Sequence, residues 1–527
     1  MKHQSLLSGI KSLGIMLSLG LALASCTKDD VAQNPAKPNE EGNKNLTTFV
    51  AGDEAKTRTS LDYNSSDFSW EAGDHIYVKD DNGVLQKSNN APDKKVASFT
   101  YTVPGKFTAS SSYKVYYFGK NSSNNQVVIP SAQSQSTPNN TEHFGVSGDY
   151  GTATATGSVG GKEFSFQLEH QAAYLVFHPY VSNTLLQNCY LTKIEVSSDN
   201  DIASTYTLNA STGTLQSVST GAEADKEIIL STKGSGVYAN GFPLKTASDN
   251  MAVNGAYMVI KPGTHTLKVR YWLKDVSTGI EGTVTKAFKA FNYDVNNYYD
   301  IDGNLNIRDY DGDHYYMWDA QEQYWKGHEW WSTNKDQPVL NWDSNGNYAK
   351  SNTDLRYYND SYPGYGISNS ATHTPCKDLP NVNEMTWYAV YGEPCWDKDE
   401  LWTTMGRLYK GGMWFKKKSV LQADGHYNSN TAYNGRDLRT TNEVDQNWPT
   451  SMTPPSATDA NKYFYLPALG YYLDGQLIQV GQGCSYWSSS ANSLGSIRAY
   501  NLYFNAGRVY VKGHNTRYMG SRVDWPE

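Results

Sequence analysis

The feature that most restricts the fold of this chain is a series of short segments in which apolar and polar residues alternate. The segments Phe164–Glu169 (FSFQLE) and Leu267–Lys274 (LKVRYWLK) both have this pattern. A period of two residues predicts strands with one buried face and one wet face. Turn-forming clusters separate the segments, and no helical period is sustained between Leu46 and Leu305. The pattern therefore predicts two β-sandwich domains in series, dividing near Gly160.

The composition changes after Leu305. Twelve of the 14 tryptophans lie between Trp318 and Trp525. A capping box at residues 397–400 followed by apolar residues up to Tyr409 predicts a helix that stops at Gly411. A second helix is predicted over residues 382–390, and a hairpin over residues 500–511 that turns at 506–507. The last domain is therefore predicted to be α+β.

The amino-terminal residues have the form of a signal peptide. Lys2 and Lys11 precede an apolar run from about Leu13 to Leu23, which is too short to span a bilayer. The sequence LASC ending at Cys26 resembles the lipobox of bacterial lipoproteins, which implies that residues 1–25 are removed and that Cys26 is acylated. The alternative is an ordinary signal peptide with a chance cysteine. Residues 27–30 (TKDD) resemble the export signal of Bacteroidetes surface lipoproteins, although a charged tether explains them as well.

The composition argues against several classes of protein. Residues 26–45 are polar and contain proline, so they are predicted to form a flexible tether. The net charge of −8 is spread over interspersed acidic and basic residues and gives no sign of a nucleic-acid partner. The cysteines contain no Cys-x-x-Cys pair, which excludes a thiolate zinc site and a disulfide-dense scaffold. Whether Cys376 and Cys395 form a disulfide is left open.

Two resemblances cover most of the chain. KTRT at 56–59, FSWEAGDHIYV at 68–78, FSFQLEHQAAYLVF at 164–177 and YMVIKPG at 257–263 resemble the fimbrillin-like proteins of Bacteroidetes. This resemblance implies two transthyretin-like, Greek-key sandwiches at 46–160 and 161–304.

The last domain, residues 305–527, resembles the Fibrobacter succinogenes major domain, which has a C-type-lectin-like fold. Four blocks carry this resemblance: residues 376–388, 401–415, 464–470 and 486–490. The fold class expected for the whole chain is therefore mostly β, with an α+β domain at the end.

The fimbrillin resemblance implies assembly by strand addition between subunits, in which a protease removes the first strand and the next subunit replaces it. Leu46–Ala51 is the candidate first strand, and Arg58 is the candidate cleavage site. The alternatives are cleavage at Lys56, which is equally placed, and a loop that is never cut. A stalk subunit donates its last strand, whereas here the last strand is expected to lie inside a folded domain, which predicts a terminal tip subunit.

Catalysis and metal binding are not expected. The last domain has no His-Glu-x-x-His or Gly-x-Ser-x-Gly motif and no phosphate-binding glycine loop. The sugar motifs of calcium lectins are also absent, and Glu393-Pro-Cys395 is the nearest approach. The acidic runs at 300–303 and 309–313 lack the closing glutamate of a calcium loop, so they are interpreted as turns. No enzyme activity, cofactor or metal is therefore predicted.

Trp330 and Trp331 are the candidate ligand contacts, because two adjacent tryptophans cannot both point inward from a regular strand. Both are also ordinary core residue types. The function predicted is a lipid-anchored, surface-exposed outer-membrane precursor that becomes a fimbrial tip adhesin. Its partners would be other pilins, the membrane lipid and a glycan or protein ligand. The rivals are a monomeric glycan-capturing lipoprotein for nutrient uptake and an anchor subunit at the fimbrial base.

Overall fold

The computed structural model describes residues 3–5, 46–52, 60–62, 67–121, 126–209, 211–212, 214–218, 222–361, 369–441, 445–492 and 497–527. Cys26 and Arg58 lie outside these ranges. Strands account for 41% of the chain and helices for 9%, which confirms the prediction of a mostly β fold.

Most strands up to residue 301 are short, and they follow one another closely in sequence. They are β1 (His3–Ser5), β2 (Leu46–Ala51), β3 (Ser60–Asp62), β4 (Asp67–Ser69), β5 (Tyr77–Lys79), β6 (Leu85–Lys87), β7 (Phe99–Pro104), β8 (Ser112–Tyr117), β9 (Gln126–Ile129), β10 (Ala132–Ser134), β11 (Gly151–Gly157), β12 (Glu163–Phe166), β13 (Glu169–His170), β14 (Ala173–Phe177), β15 (Cys189–Ser198), β16 (Ser204–Leu208), β17 (Leu215–Ser217), β18 (Glu227–Ser231), β19 (Phe242–Pro243), β20 (Ala256–Ile260), β21 (Gly263–His265), β22 (Leu267–Asp275), β23 (Glu281–Ala287), β24 (Phe291–Tyr293) and β25 (Tyr298–Ile301).

Further strands follow in the remainder of the chain. They are β26 (Asp309–Tyr310), β27 (Tyr315–Tyr316), β28 (Cys395–Thr404), β29 (Arg407–Lys416), β30 (Gln446–Pro449), β31 (Tyr463–Pro467), β32 (Leu469–Leu473), β33 (Gln476–Val480), β34 (Gly483–Ala491), β35 (Arg498–Asn505), β36 (Arg508–Thr516) and β37 (Ser521–Arg522). The α-helices are α1 (Met251–Asn254), α2 (Val382–Tyr391) and α3 (Lys418–Ala423). Short 3-10 helices occur at Phe144–Val146, Leu186–Asn188, Glu223–Lys226, Gly236–Tyr238, Cys376–Asp378 and Ala460–Lys462.

The chain divides into two compact units. Unit 1 comprises Met1–Ser182, Leu186–Leu267 and Ala290–Leu305, and unit 2 comprises Asn183–Leu185, Lys268–Lys289 and Asn306–Glu527. The hairpin of residues 268–289 therefore groups with unit 2, although it precedes residue 305. The domain limits taken from the sequence stay predictions.

The first sheet of unit 1 has the strand order β6-β5-β8-β11-β12-β2-β7, with β13 paired to β11. It continues through β13, past Gly160, where the sequence predicts the first domain to end. Its inward residues form one apolar cluster around Phe49, Trp70 and Tyr101, all fully buried. Further sheets of unit 1 have the orders β1-β25-β14-β20, β10-β18-β15, β17-β16-β9 and β21-β24.

Unit 2 contains a sheet with the order β22-β23-β28-β29-β31 and another with the order β27-β37-β34-β35-β36-β30. One large aromatic cluster fills the unit and includes the buried Trp325, Trp402 and Tyr472. A smaller cluster surrounds Trp318 and Trp487. In the described part of the chain, no helix is long and apolar enough to span a membrane.

The helix predicted over residues 397–411 is wrong, because this segment forms β28, a turn and β29. Most of β28 is buried, so its apolar residues do not alternate and match a helical spacing by chance. Met405 and Gly406 have φ values of 47° and 71°, which suits a tight hairpin turn.

Two other predictions for the last domain are confirmed. Helix α2 begins at Val382, where Asn381 and Glu384 form a capping box. The carboxy-terminal hairpin is formed by β35 and β36, which join at Ala506 and Gly507. The strands predicted at Leu46–Ala51 and Leu267–Lys274 are present as β2 and β22.

Candidate functional site

Strand β2 is an interior strand of the first sheet of unit 1. It pairs antiparallel with β7 along its whole length, from Leu46 opposite Pro104 to Ala51 opposite Phe99. On its other side it pairs parallel with β12, with Thr48 opposite Glu163. Loss of β2 would therefore expose two strand edges at once.

The inward face of β2 is apolar. Phe49 is fully buried, and its ring lies 5.4 Å from that of Phe164 and 5.2 Å from that of Phe107. Ala51 is also fully buried, and Thr47 is 7% exposed. The remaining residues of the strand are half-buried. Since the strand carries no charged residue, backbone hydrogen bonds and apolar packing hold it in the sheet.

The residues predicted for cleavage follow β2 in the sequence, and the residue predicted for acylation precedes it. Gly52 donates its N–H to Phe166 O at 2.9 Å, and the described chain stops there until Ser60. Arg58 and Lys56 fall in this interval, and Cys26 precedes β2. All three lie outside the described residues, so cleavage and acylation stay predictions.

Strand β37 contrasts with β2. It pairs antiparallel with β27 and parallel with β34, so it is bonded on both sides within unit 2. Arg522 in this strand is fully buried and donates from Nε and Nη2 to the carboxylate of Asp524, at 2.8 Å and 2.6 Å. Its Nη1 donates to Asp311 O at 2.9 Å, and the guanidinium lies 4.6 Å from the ring centre of Tyr315. Burial opposes the charge, but the Asp524 carboxylate outweighs it and raises the pKa of Arg522.

The predicted ligand contacts lie in a segment without regular structure, residues 328–345, which we call the aromatic segment. Trp331 is 51% exposed and Trp330 is half-buried, so one of the adjacent tryptophans does point outward. Their rings meet edge to face at 5.8 Å. The Trp330 backbone N–H donates to Gln337 Oε1 at 3.1 Å. Ligand binding by either residue stays a prediction.

No sequence pattern indicated that Trp342 is exposed. It is 62% exposed, and its backbone φ of 72° lies in the left-handed region. Its N–H donates to Leu477 O at 2.7 Å, and its carbonyl accepts from Gln476 Nε2 at 2.8 Å. The conformation depends on pairing with β33, which lies far away in sequence, so no local pattern could have revealed it.

A buried polar cluster joins the hairpin of residues 268–289 to β28 within unit 2. Arg270 Nη2 donates to both carboxylate oxygens of Asp397, at 2.9 and 3.1 Å. Glu400 accepts from the hydroxyls of Thr283 and Thr285, at 3.0 and 2.6 Å, and from Thr285 N. Burial and the neighbouring Asp397 charge raise the pKa of Glu400 to about 7.

Within the described ranges, the cysteines and histidines form no common site. Cys376 and Cys395 are buried free thiols, and burial raises the pKa of Cys376 to about 12 and that of Cys395 to about 11. His328 and His373 each lie beside a separate carboxylate, Asp336 and Asp319. Among the residues that the structure describes, no group of three or more His, Cys, Asp or Glu side chains could hold a metal ion.

No protein-family model and no curated protein matches the chain. Similarity to solved structures is weak. A chain described as a cell adhesion protein from Bacteroides ovatus has a TM-score of 0.32 and 13% identity, over 50% of this chain and 93% of that one. A fimbrial protein from the same species has a TM-score of 0.24 and 8% identity, over 89% of this chain and 98% of that one.

The fimbrial anchor protein Mfa2 from Porphyromonas gingivalis is also similar, with a TM-score of 0.21 and 11% identity, over 45% of this chain and 80% of that one. TM-scores and identities this low carry no argument about the fold or the function of this chain. The function is therefore argued from the residues.

Proposed function

We propose that this protein is a surface lipoprotein precursor that matures into the tip subunit of a fimbrium. In this proposal Cys26 carries the lipid during export, cleavage at Arg58 releases the lipid together with β2, and a strand of the next pilin takes the place of β2. Unit 2 then forms the adhesive head.

The position of β2 is the observation that carries the proposal. The strand lies between β7 and β12 and buries Phe49 in the core of its sheet. An incoming strand of alternating apolar residues could form the same backbone bonds and fill the same slot. Because β2 has no charged side chain, its departure leaves no buried ion without a partner.

The contacts that hold β37 within unit 2 support the proposed position at the fimbrial tip. This strand is bonded on both sides, and its buried Arg522 donates to Asp311 O and lies against the Tyr315 ring, both outside the strand. Withdrawing it for donation would expose a charge network. The proposal therefore assigns this protein an accepting role.

Amino-terminal sequencing of the protein taken from purified fimbriae tests the proposal. The expected result is a start at Thr59, and the Arg58→Ala variant should keep its amino terminus and fail to enter fimbriae. The matched control is Lys56→Ala, which should mature normally. An acylated Cys26 on fimbria-associated protein would contradict the proposal.

Immunogold labelling separates the remaining rivals. Label at the free ends of fimbriae is expected. Label confined to the base would favour the anchor role, and a lipid-bearing protein that never copurifies with fimbriae would favour the monomeric lipoprotein.

A further inference from the structure

The hairpin formed by β22 and β23, residues 268–289, is well paired internally and sparsely paired with β28. Within the hairpin, the two strands align over seven residue pairs. Between β23 and β28, the described chain contains a single backbone pair, Thr283 opposite Glu400. We call this contact between β23 and β28 the seam. Because its backbone pairing is so short, the seam depends on the buried polar side chains that surround it.

An irregularity in β28 turns two carboxylates toward the hairpin. Residues three apart on a regular strand point to opposite faces. The register of β28 against β29 shifts between Asp397 and Leu401, and Asp397 and Glu400 are both buried, with 2% and 8% of their surface exposed. Asp397 accepts from Arg270 on β22, and Glu400 accepts from Thr283 on β23. The bulged segment therefore brings two acidic groups into one buried contact.

The two carboxylates share one guanidinium. Arg270 Nη2 donates to both carboxylate oxygens of Asp397 and also to Thr283 Oγ1 at 2.9 Å. The Thr283 hydroxyl donates in turn to Glu400 at 3.0 Å. The positive charge of Arg270 thus balances Asp397 directly and reaches Glu400 through a hydroxyl. Burying a second carboxylate as an anion beside this pair costs free energy, which a proton on Glu400 removes.

The other ionisable groups on the packed elements are engaged elsewhere or neutral. The lysines bind oxygens outside the cluster: Lys268 Nζ donates to Pro455 O at 2.8 Å, and Lys410 Nζ donates to Glu281 O at 2.7 Å and to the Asp399 carboxylate at 3.3 Å. Two phenols also lie near Glu400, Tyr465 of β31 and Tyr310 of β26. Burial raises the pKa of Tyr465 and raises that of Tyr310 to about 12, so both stay neutral. Glu400 is therefore the group that takes up the proton.

We propose that Glu400 makes the seam a proton-controlled contact: the protonated carboxyl holds β23 against β28, and its ionisation opens the seam while the hairpin keeps its own ladder. The inference concerns unit 2 alone and goes beyond the proposed fimbrial role, so it does not depend on processing at Arg58. Burial and the Asp397 charge raise the pKa of Glu400 to about 7. A raised pKa means that the contact is strongest in acid and weakens as the pH rises through about 7.

The Thr285 amide gives a direct measurement of the seam, because its N–H donates to Glu400 Oε1 at 3.0 Å. Hydrogen exchange of the full chain, resolved by mass spectrometry with fragmentation, is compared at pH 5 and pH 8 after correction for the intrinsic pH dependence of exchange. The opening constant at Thr285 is expected to rise by about tenfold or more. Amides of the β35–β36 ladder in unit 2 should exchange more slowly than Thr285 at both pH values.

Two variants of the cluster assign the effect to its charges. Glu400→Gln keeps an oxygen for the Thr285 N–H and carries no charge, so exchange at Thr285 should become independent of pH after correction. Asp397→Asn leaves Arg270 to balance an ionised Glu400, so the rise between pH 5 and pH 8 should shrink. The matched control is Glu281→Gln, a carboxylate on the same hairpin outside the cluster, which should keep the full response.

Three results would overturn the proposal. The first is exchange at Thr285 in the wild type that does not change with pH after correction. The second is a pH response that persists in Glu400→Gln. The third is an equal rate at Thr285 and in the β35–β36 ladder at both pH values, because the opening would then be the unfolding of unit 2 as a whole. If Glu400→Gln folds poorly, the comparison of Asp397→Asn with Glu281→Gln still decides.

Discussion

The strands β2 and β37 are both interior strands, but different forces hold them. Backbone hydrogen bonds and the apolar contacts of Phe49 hold β2 in its sheet. The buried guanidinium of Arg522, which contacts Asp311 O and the Tyr315 ring, holds β37 in addition to its backbone bonds. The first kind of contact depends on backbone pairing and apolar shape, whereas the second depends on a buried charge and its partners. The difference teaches that β2 is held by a general pattern of contacts and β37 by contacts of one particular side chain.

Removing the ion at β37 should have the largest effect. Arg522→Met leaves Asp524 buried without its partner, and the free energy of unfolding of unit 2 is expected to fall by about 3–5 kcal/mol. Urea unfolding monitored separately for the two units is the measurement. Arg508→Met, at an exposed position on β36, is the matched control and should change stability by less than about 0.5 kcal/mol. A loss for Arg522→Met no larger than that of the control would show that the buried arginine does not hold β37.

Removing the Phe49 ring from the core beside β2 should have the second largest effect on stability. Phe49→Ala removes the ring between Phe164 and Phe107, and a loss of about 3–4 kcal/mol is expected in unit 1 alone. The same unfolding experiment measures it. An equal loss of unfolding free energy in both units would mean that the contacts of β2 stabilise more than unit 1. The contrast between β2 and β37 would then fail.

Titration should show that unit 2 also contains a buried carboxylate whose protonation changes on folding. The pKa of Glu400 is raised to about 7, so the folded state binds a proton more tightly than the unfolded state. Stability then falls as the pH rises from the unfolded pKa through the folded one, by about 2–3 kcal/mol between pH 5 and pH 8 at about 1.4 kcal/mol per pKa unit. Melting curves of unit 2 at these pH values measure it.

Glu400→Gln is the control, because it should flatten this dependence in unit 2. His178 gives unit 1 a dependence of the same sign. Burial opposes its charge, but the hydrogen bond to Asp300 and the charge of Asp249 raise its pKa, and stability is lost as the pH rises through that value. A pH dependence of unit 2 that persists in Glu400→Gln would assign the effect to another group.

The sequence predicted what depends on local patterns. Alternation located β22, the resemblance of the first two domains indicated β2, and α2 lies where the sequence predicted a helix, with a capping box at Asn381. It failed at β28, because burial on both faces removed the alternation and left a spacing that matches a helix. It also could not show that the hairpin of residues 268–289 groups with unit 2, since Glu400 meets Thr283 and Thr285 only through tertiary pairing.

The candidate site was predicted in part for the same reason. Adjacency alone indicated that Trp330 and Trp331 could not both be buried, and Trp331 is indeed exposed. Trp342 stands singly between Asn341 and Asp343 and carries no such signal. Its left-handed backbone is imposed by β33, more than a hundred residues away. Strain of this kind is a property of the fold.

The smallest effect is expected on the outward face of β2 and sharpens the comparison most directly. Val50 is half-buried and lies opposite Ser165 on β12 and Thr100 on β7. Threonine keeps the branched shape that suits a strand, and here its hydroxyl can reach water, so Val50→Thr should change the stability of unit 1 by less than about 0.5 kcal/mol. The urea midpoint of unit 1 measures it beside Phe49→Ala. A large loss would mean that both faces of β2 are specific, and an exchanged strand would then have to match its sequence in full.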